Sequence, residues 1–395
     1  MTGVHLTRTA ENVAEIDALA ARLARSGGGR VDLADFLADL PATGRRGRRG
    51  PLGRVLGRKV RRSFTWDAAD RRDPLWWPQG VTTSADATDG TGLVHGRRVL
   101  LASWYAKAPA ARLVEEGAQA PDRLVEEGAQ APDRLVEEGA QAPVSKPAGH
   151  DGGQGSRLTF VDLATRRYRH VLLVVPRLRD GEVHLEPLRV HAGGIVWRGP
   201  YVHVAATARG FVTVRLDDLM WAPVEGDSLY GYRWVLPVRF AYRAAAEEGV
   251  ERLRYSFLSL DRSVDPPGLL AGEYGRRKQT RRFAHYPLDE GGLPALDEDG
   301  FARPAAIDDA GLAGMQGAVT AAGSYLVTTS HGPWASGSLY AGRPGSFRRH
   351  RRALPMGPED ITWSPPDDLV WTVTEHPRRR WVVAVPRSAV APPGI

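Results

Sequence analysis

A chain of 395 residues without cysteine excludes disulfides, thiolate metal sites and a cysteine nucleophile. With 42% hydrophobic and 25% charged residues it reads as a globular protein, and no run approaches the roughly 18–20 apolar residues of a membrane span. The net charge of +7 has a local source: residues 45–62 carry nine Arg or Lys and no acid. Such a run attracts nucleic acid or another anionic surface, but reads first as a solvated linker in an Arg-rich protein.

In chain order, residues 9–26 predict a helix. Thr9 can cap it, Glu11 and Glu15 suit its positive end, and Val13, Ile16, Leu19, Ala20 and Leu23 share one face. Gly27–Gly29 ends it, and Asp32 opens a short second helix that Pro41 stops. No basic stretch followed by an apolar one precedes these helices, so the cytoplasm is the expected compartment. Secretion is the alternative if the native start lies elsewhere.

From about residue 61 the pattern changes to short strands. First strands open at Pro78-Gln-Gly-Val, Ala192-Gly-Gly-Ile, Gln316-Gly-Ala-Val and Pro358-Glu-Asp-Ile. Second strands end at Ser103-Trp-Tyr, Ala206-Thr-Ala, Gly272-Glu-Tyr, Ser330-His-Gly and Glu375-His-Pro. Third strands follow each, at 158–163, 211–216, 281–287, 336–342 and 381–386. Fourth strands are fainter, at 170–176, 233–240 and 349–354. Four-stranded meanders repeated at this spacing predict an all-β fold, a β-propeller of five blades. Six stay open, because the first strand near 254–260 matches poorly. Residues 60–66 are placed to supply the last blade's outer strand and so close the ring. The expected organisation is a helical hairpin and basic linker over 1–60 and a propeller over 61–395.

Two polar stretches interrupt the strands. Arg-Leu-Val-Glu-Glu-Gly-Ala-Gln-Ala-Pro occurs at 112, 123 and 134, with Pro and Gly spaced to forbid one long helix. We read residues 107–156 as an acidic loop inserted in blade one. Asp297-Glu-Asp-Gly hints at a calcium loop but lacks the full ligand series.

In a propeller the second strand ends on the face where the first begins. That places Gln79, His191, Gln316 and Glu359 in an inner ring. Tyr105, Thr207, Glu273, Tyr274, His331, Glu375 and His376 stand around it, with Lys107 and Arg209 at the rim. Convergent polar groups at such a mouth predict binding of a polar small molecule or a glycan. Glu359, Glu273 and Glu375 are the carboxylates available for glycoside hydrolysis, which needs two, roughly 5–9.5 Å apart. His191 or His331 beside Glu359 could do acid–base work. A divalent cation at the axis would serve a hydrolase or lyase. The rival reading is a non-catalytic scaffold that meets its partners through the basic segment and the acidic loop; a monomer is expected under either reading.

Gly357-Pro-Glu-Asp resembles the metal-binding Glu region of gluconolactonase-type propellers, although that family also uses Asn and the only Asn here is Asn12. Trp77-Pro-Gln-Gly-Val, Val190-His-Ala-Gly-Gly-Ile-Val-Trp, Gly272-Glu-Tyr-Gly and Met356-Gly-Pro-Glu-Asp resemble a group of uncharacterised actinobacterial proteins, often described as secreted. That resemblance implies a five-bladed propeller and little about activity.

Overall fold

The computed structural model describes residues 3–47, 56–107, 154–223 and 229–391. The described chain is all-β with a few short helices. Four-strand antiparallel meanders follow one another. The first comprises Trp76–Thr83, Val99–Ala106, Ser156–Asp162 and Arg167–Arg179. The second comprises Ile195–Arg198, Tyr201–Ala205, Gly210–Arg215 and Trp234–Ala246. The third runs through Phe257–Asp261, Gly268–Gly272, Arg282–Tyr286 and Ala306–Asp309. The fourth runs through Met315–Ala321, Ser324–Thr329, Ser338–Gly342 and Arg348–His350. The fifth has Pro358–Ser364, Leu369–Thr374 and Val382–Pro386, and its next strand is Arg62–Thr65, from far earlier in the chain. This last pairing covers an edge that would otherwise expose unpaired backbone groups.

Inner strands alternate side chains into apolar layers between neighbouring meanders, which gives several core clusters rather than one. Trp66, fully buried, packs edge-on against Trp104 and Tyr168 between the first and fifth meanders. Asp67 caps the short helix Ala68–Arg72 by accepting from the Asp70 N–H, so Trp66-Asp67 serves packing and capping.

The N-terminal residues also enter the sheets. Val4–Arg8 pairs antiparallel with the outer strand Trp234–Ala246, and the Thr9 hydroxyl accepts from Ala241 N–H. The first helix therefore starts later than its sequence suggests, at Val13–Ala24, and Val13 is exposed while Ile16, Leu19 and Leu23 are buried. Asp32 caps the second helix, Leu33–Ala38, at 2.7 Å from Ala34 N. Within the basic stretch, Arg45–Arg46 pairs with Arg62–Thr65. Residues 48–55 and most of the acidic insertion, 108–153, lie outside the described residues.

Candidate functional site

Three first strands carry a bulge at the same place. Pro78 faces Trp104 and Val81 faces Ala102, so Gln79 and Gly80 stand against Ser103 alone. Met315 faces Thr329 and Gly317 faces Thr328, which makes Gln316 the extra residue. Pro358 faces Thr374 and Ile361 faces Thr372, leaving Glu359 and Asp360 against Val373. A bulge bends its strand and re-aims the side chains there. Three of the inner-ring candidates sit on these bulges.

The axis beneath is closed by backbone. A Cβ on Gly80 would lie 3.0 Å from Gly194 C, one on Gly194 would lie 2.3 Å from Leu258 N, and one on Gly317 would lie 2.6 Å from Asp360 Cα. Only glycine permits this approach. In the fifth meander the corresponding residue is Asp360, whose carboxylate occupies the space the glycines leave. Its Oδ2 accepts from Val81 N at 3.1 Å and Ile195 N at 3.3 Å, tying three first strands together. Its Oδ1 is buried without a partner, and burial pushes its carboxyl well above the usual range.

Above this plug the side chains of Gln79, Glu359 and Glu375 gather. Glu359 is 4% exposed, and its carboxyl makes no hydrogen bond with the described residues. Burial, with Glu375 and Asp360 adding like charge, holds it well above the usual carboxylate range. Glu375 is also pushed up by burial, opposed by the Lys107 charge and by a 3.3 Å hydrogen bond from Gln79 Nε2. His376 lies 3.5 Å from the Glu375 carboxylate and edge-on to Trp77, whose other neighbour is the Lys107 ammonium, 3.6 Å from the ring centre. Desolvation and the nearby Lys107 and Arg379 lower the His376 pKa. Arg380, buried behind the group, donates to the Glu375 carbonyl at 2.9 Å. Trp334 stands at the rim, 82% exposed, with the Arg379 guanidinium 4.7 Å from its ring centre.

The other candidates are dispersed. His191 packs at a tilt against Tyr105 with ring centres 4.5 Å apart. Gln316 is half-buried. Glu273 is sealed: Arg282 grips both its oxygens at 2.9 and 3.1 Å, and the backbone N–H groups of Arg254 and Arg282 also donate to it. These partners hold its carboxyl below the usual range and occupy the lone pairs a catalytic acid or base would need, so Glu273 serves the third meander's structure. Tyr274 lies under Arg276, and His331 bonds Ser338 Oγ and Arg349. Arg209 is exposed. Asp297 and Asp299 both pair with Arg303, and Asp297 Oδ1 closes its own turn, so the acidic run is a structural loop.

Asp360 and Arg380 are the axial groups that sequence reading left out. Asp360 had a signal, since it stands where the aligned copies carry Gly80, Gly194 and Ala318. Among the described residues no group of three or more His, Asp or Glu side chains is arranged to hold a metal ion. Nor is any helix among them long and apolar enough to cross a membrane.

No family model matches the chain, and no curated protein matches it significantly. Among solved structures, hydrazine synthase of Kuenenia stuttgartiensis is similar at 10% identity, over 56% of this chain and 70% of its own, with a TM-score of 0.28. The β-xylosidase RS223 is similar at 8% identity, over 79% and 92% of the two chains, with a TM-score of 0.33. CoXyl43, a GH43 β-xylosidase/α-arabinofuranosidase from a compost microbial metagenome, is similar at 8% identity over 83% and 94%, with a TM-score of 0.34. Likenesses this distant carry no functional argument.

Proposed function

We propose that the chain is a five-bladed propeller whose axial face, around Glu359 and Glu375, binds a polar small molecule, with a glycan as the first class to test. One observation carries this reading: Glu359 is a buried carboxyl, set on a bulge, that no described residue satisfies. Its oxygens keep some solvent access and make no hydrogen bond to a described residue, so a ligand hydroxyl can reach them and pair with them. A carboxyl with a raised pKa holds its proton to higher pH than an ordinary glutamate and in that form can donate to a ligand oxygen, the behaviour of a general acid. Glu375, held by Gln79 and facing the Lys107 charge, is the second acid of the pair. Exposed Trp334 offers a flat apolar face at the rim, as sugar rings require.

The test is binding of a panel of mono- and oligosaccharides by calorimetry, with hydrolysis of aryl glycosides measured in parallel. The parent should bind at least one class saturably, and Glu359→Gln should weaken it at least tenfold. Equal binding by parent and Glu359→Gln would sink the axial reading.

A further inference from the structure

We infer a second site, for a phosphate-bearing small molecule, in a cavity on the opposite face from Glu359. The third strand of the first meander runs away from the Tyr105 end, so the turn after Asp162 lies at the other end of the sheet. There a cavity of about 890 Å³ opens between the first meander and the ring-closing strand. Its size suits a ligand of cofactor dimensions.

The chemistry of the wall is one-sided. Arg46, Arg61, Arg62 and Arg166 line it, and no described acidic residue does. None of the four forms an ion pair with a described residue, although this chain pairs Arg with acid at many other places. Arg166 is fixed by a tight turn: its N–H donates to Asp162 O at 2.7 Å, its carbonyl accepts from Gly44 N, and its φ is 63°. Its Nε is buried without an acceptor. Trp371, in the same wall, is 3% exposed, and its indole N–H is also buried without an acceptor. Four guanidinium groups without a described acid make a wall that is rich in donors and poor in charge balance, with the Arg166 Nε and the Trp371 indole N–H buried behind it. An anion with several acceptor oxygens satisfies both needs. Guanidinium forks match phosphate oxygens two at a time, which favours phosphate over a simple halide or carboxylate.

The probe is pyrophosphate, titrated into the full chain by calorimetry at physiological salt, with sulfate as the plain-anion control. Saturable one-to-one binding is expected, at least tenfold tighter than sulfate. Arg62→Gln and Arg166→Gln should each weaken it at least tenfold. Arg343→Gln, in the fourth meander, should leave it unchanged. Circular dichroism of each variant separates lost binding from lost fold, and saccharide binding at the other face should persist in Arg62→Gln. The inference is overturned if pyrophosphate shows no saturable binding, or if folded Arg62→Gln and Arg166→Gln bind it as the parent does. A steeply salt-dependent response to single-stranded oligonucleotide alone would equally overturn it, since that reports diffuse charge.

Discussion

The two ends of the axis hold buried carboxyls under opposite conditions. At the far end Asp86, 1% exposed, accepts from Thr82 Oγ1 at 2.7 Å, Thr362 Oγ1 at 2.6 Å and Arg262 Nη1 at 2.7 Å. Arg262 continues the link, donating to Ala85 O, and its N–H bonds Thr320 Oγ1, which in turn donates to Asp261. One charged pair thus fastens first strands from several meanders. At the near end Glu359 has no side-chain partner, Asp360 leaves one oxygen unused, and Glu375 adds a third acid. The same fold satisfies other buried acids fully, Asp86 at the far end and Glu273 in the third meander, so the deficit is particular to Glu359 and Asp360.

The largest expected effect comes from breaking the saturated end. Arg262→Met leaves Asp86 buried without its cation and should cost about 3–5 kcal/mol, read from urea unfolding. A loss under about 1 kcal/mol would mean that the threonines alone hold Asp86, and the contrast between the ends would collapse. A smaller loss, about 1–3 kcal/mol, should follow from Gly317→Ala, because its Cβ would lie 2.7 Å from Asp360 Oδ1 and must displace a carboxyl that bonds two other strands. Trp334→Ala should shift stability by no more than about 0.5 kcal/mol, since its ring is mostly in water, while weakening saccharide binding.

Much of this fold was legible because strand alternation and turn residues are local signals. The meanders and the ring-closing strand near 62–65 follow from that pattern. The strand Val4–Arg8 was missed: Val4 and Leu6 alternate with His5 and Thr7, but the run is too short to stand out before a helix, and the outer edge of Trp234–Ala246 gives it its place. Among the site residues, Gln79, Glu359 and Glu375 could be found by aligning repeats, because bulges recur at aligned positions. Glu273 aligned just as well, yet Arg282 lies nine residues on and opposite its end of the strand. Alignment sees position, whereas availability depends on partners brought by pairing across the sheet.

The finest test of the comparison is the pH dependence of stability. Glu359 and Asp360 hold their protons in the folded chain at pH values where the unfolded chain has released them. Unfolding therefore releases protons, and stability should fall as pH rises above about 4.5, the ordinary glutamate value, toward the raised folded values. Each such group contributes a slope of at most about 1.4 kcal/mol per pH unit. Asp261 works the other way: hydrogen bonds from His285 and Ser263 bring it down to about 2, against burial, and its contribution is lost only as pH falls below the usual aspartate value. It stays outside the window from pH 5 to 8. Across that window His203 and His376, held below the usual histidine value chiefly by burial, act in the opposite sense, so the readout of denaturant unfolding is a difference: the parent should lose stability relative to Glu359→Gln as pH rises. Saturating ligand that draws on the Glu359 proton should change the parent's slope and leave that of Glu359→Gln untouched. Identical slopes for the two proteins would place the Glu359 carboxyl in contact with water, and with that the distinction between the two ends would fail.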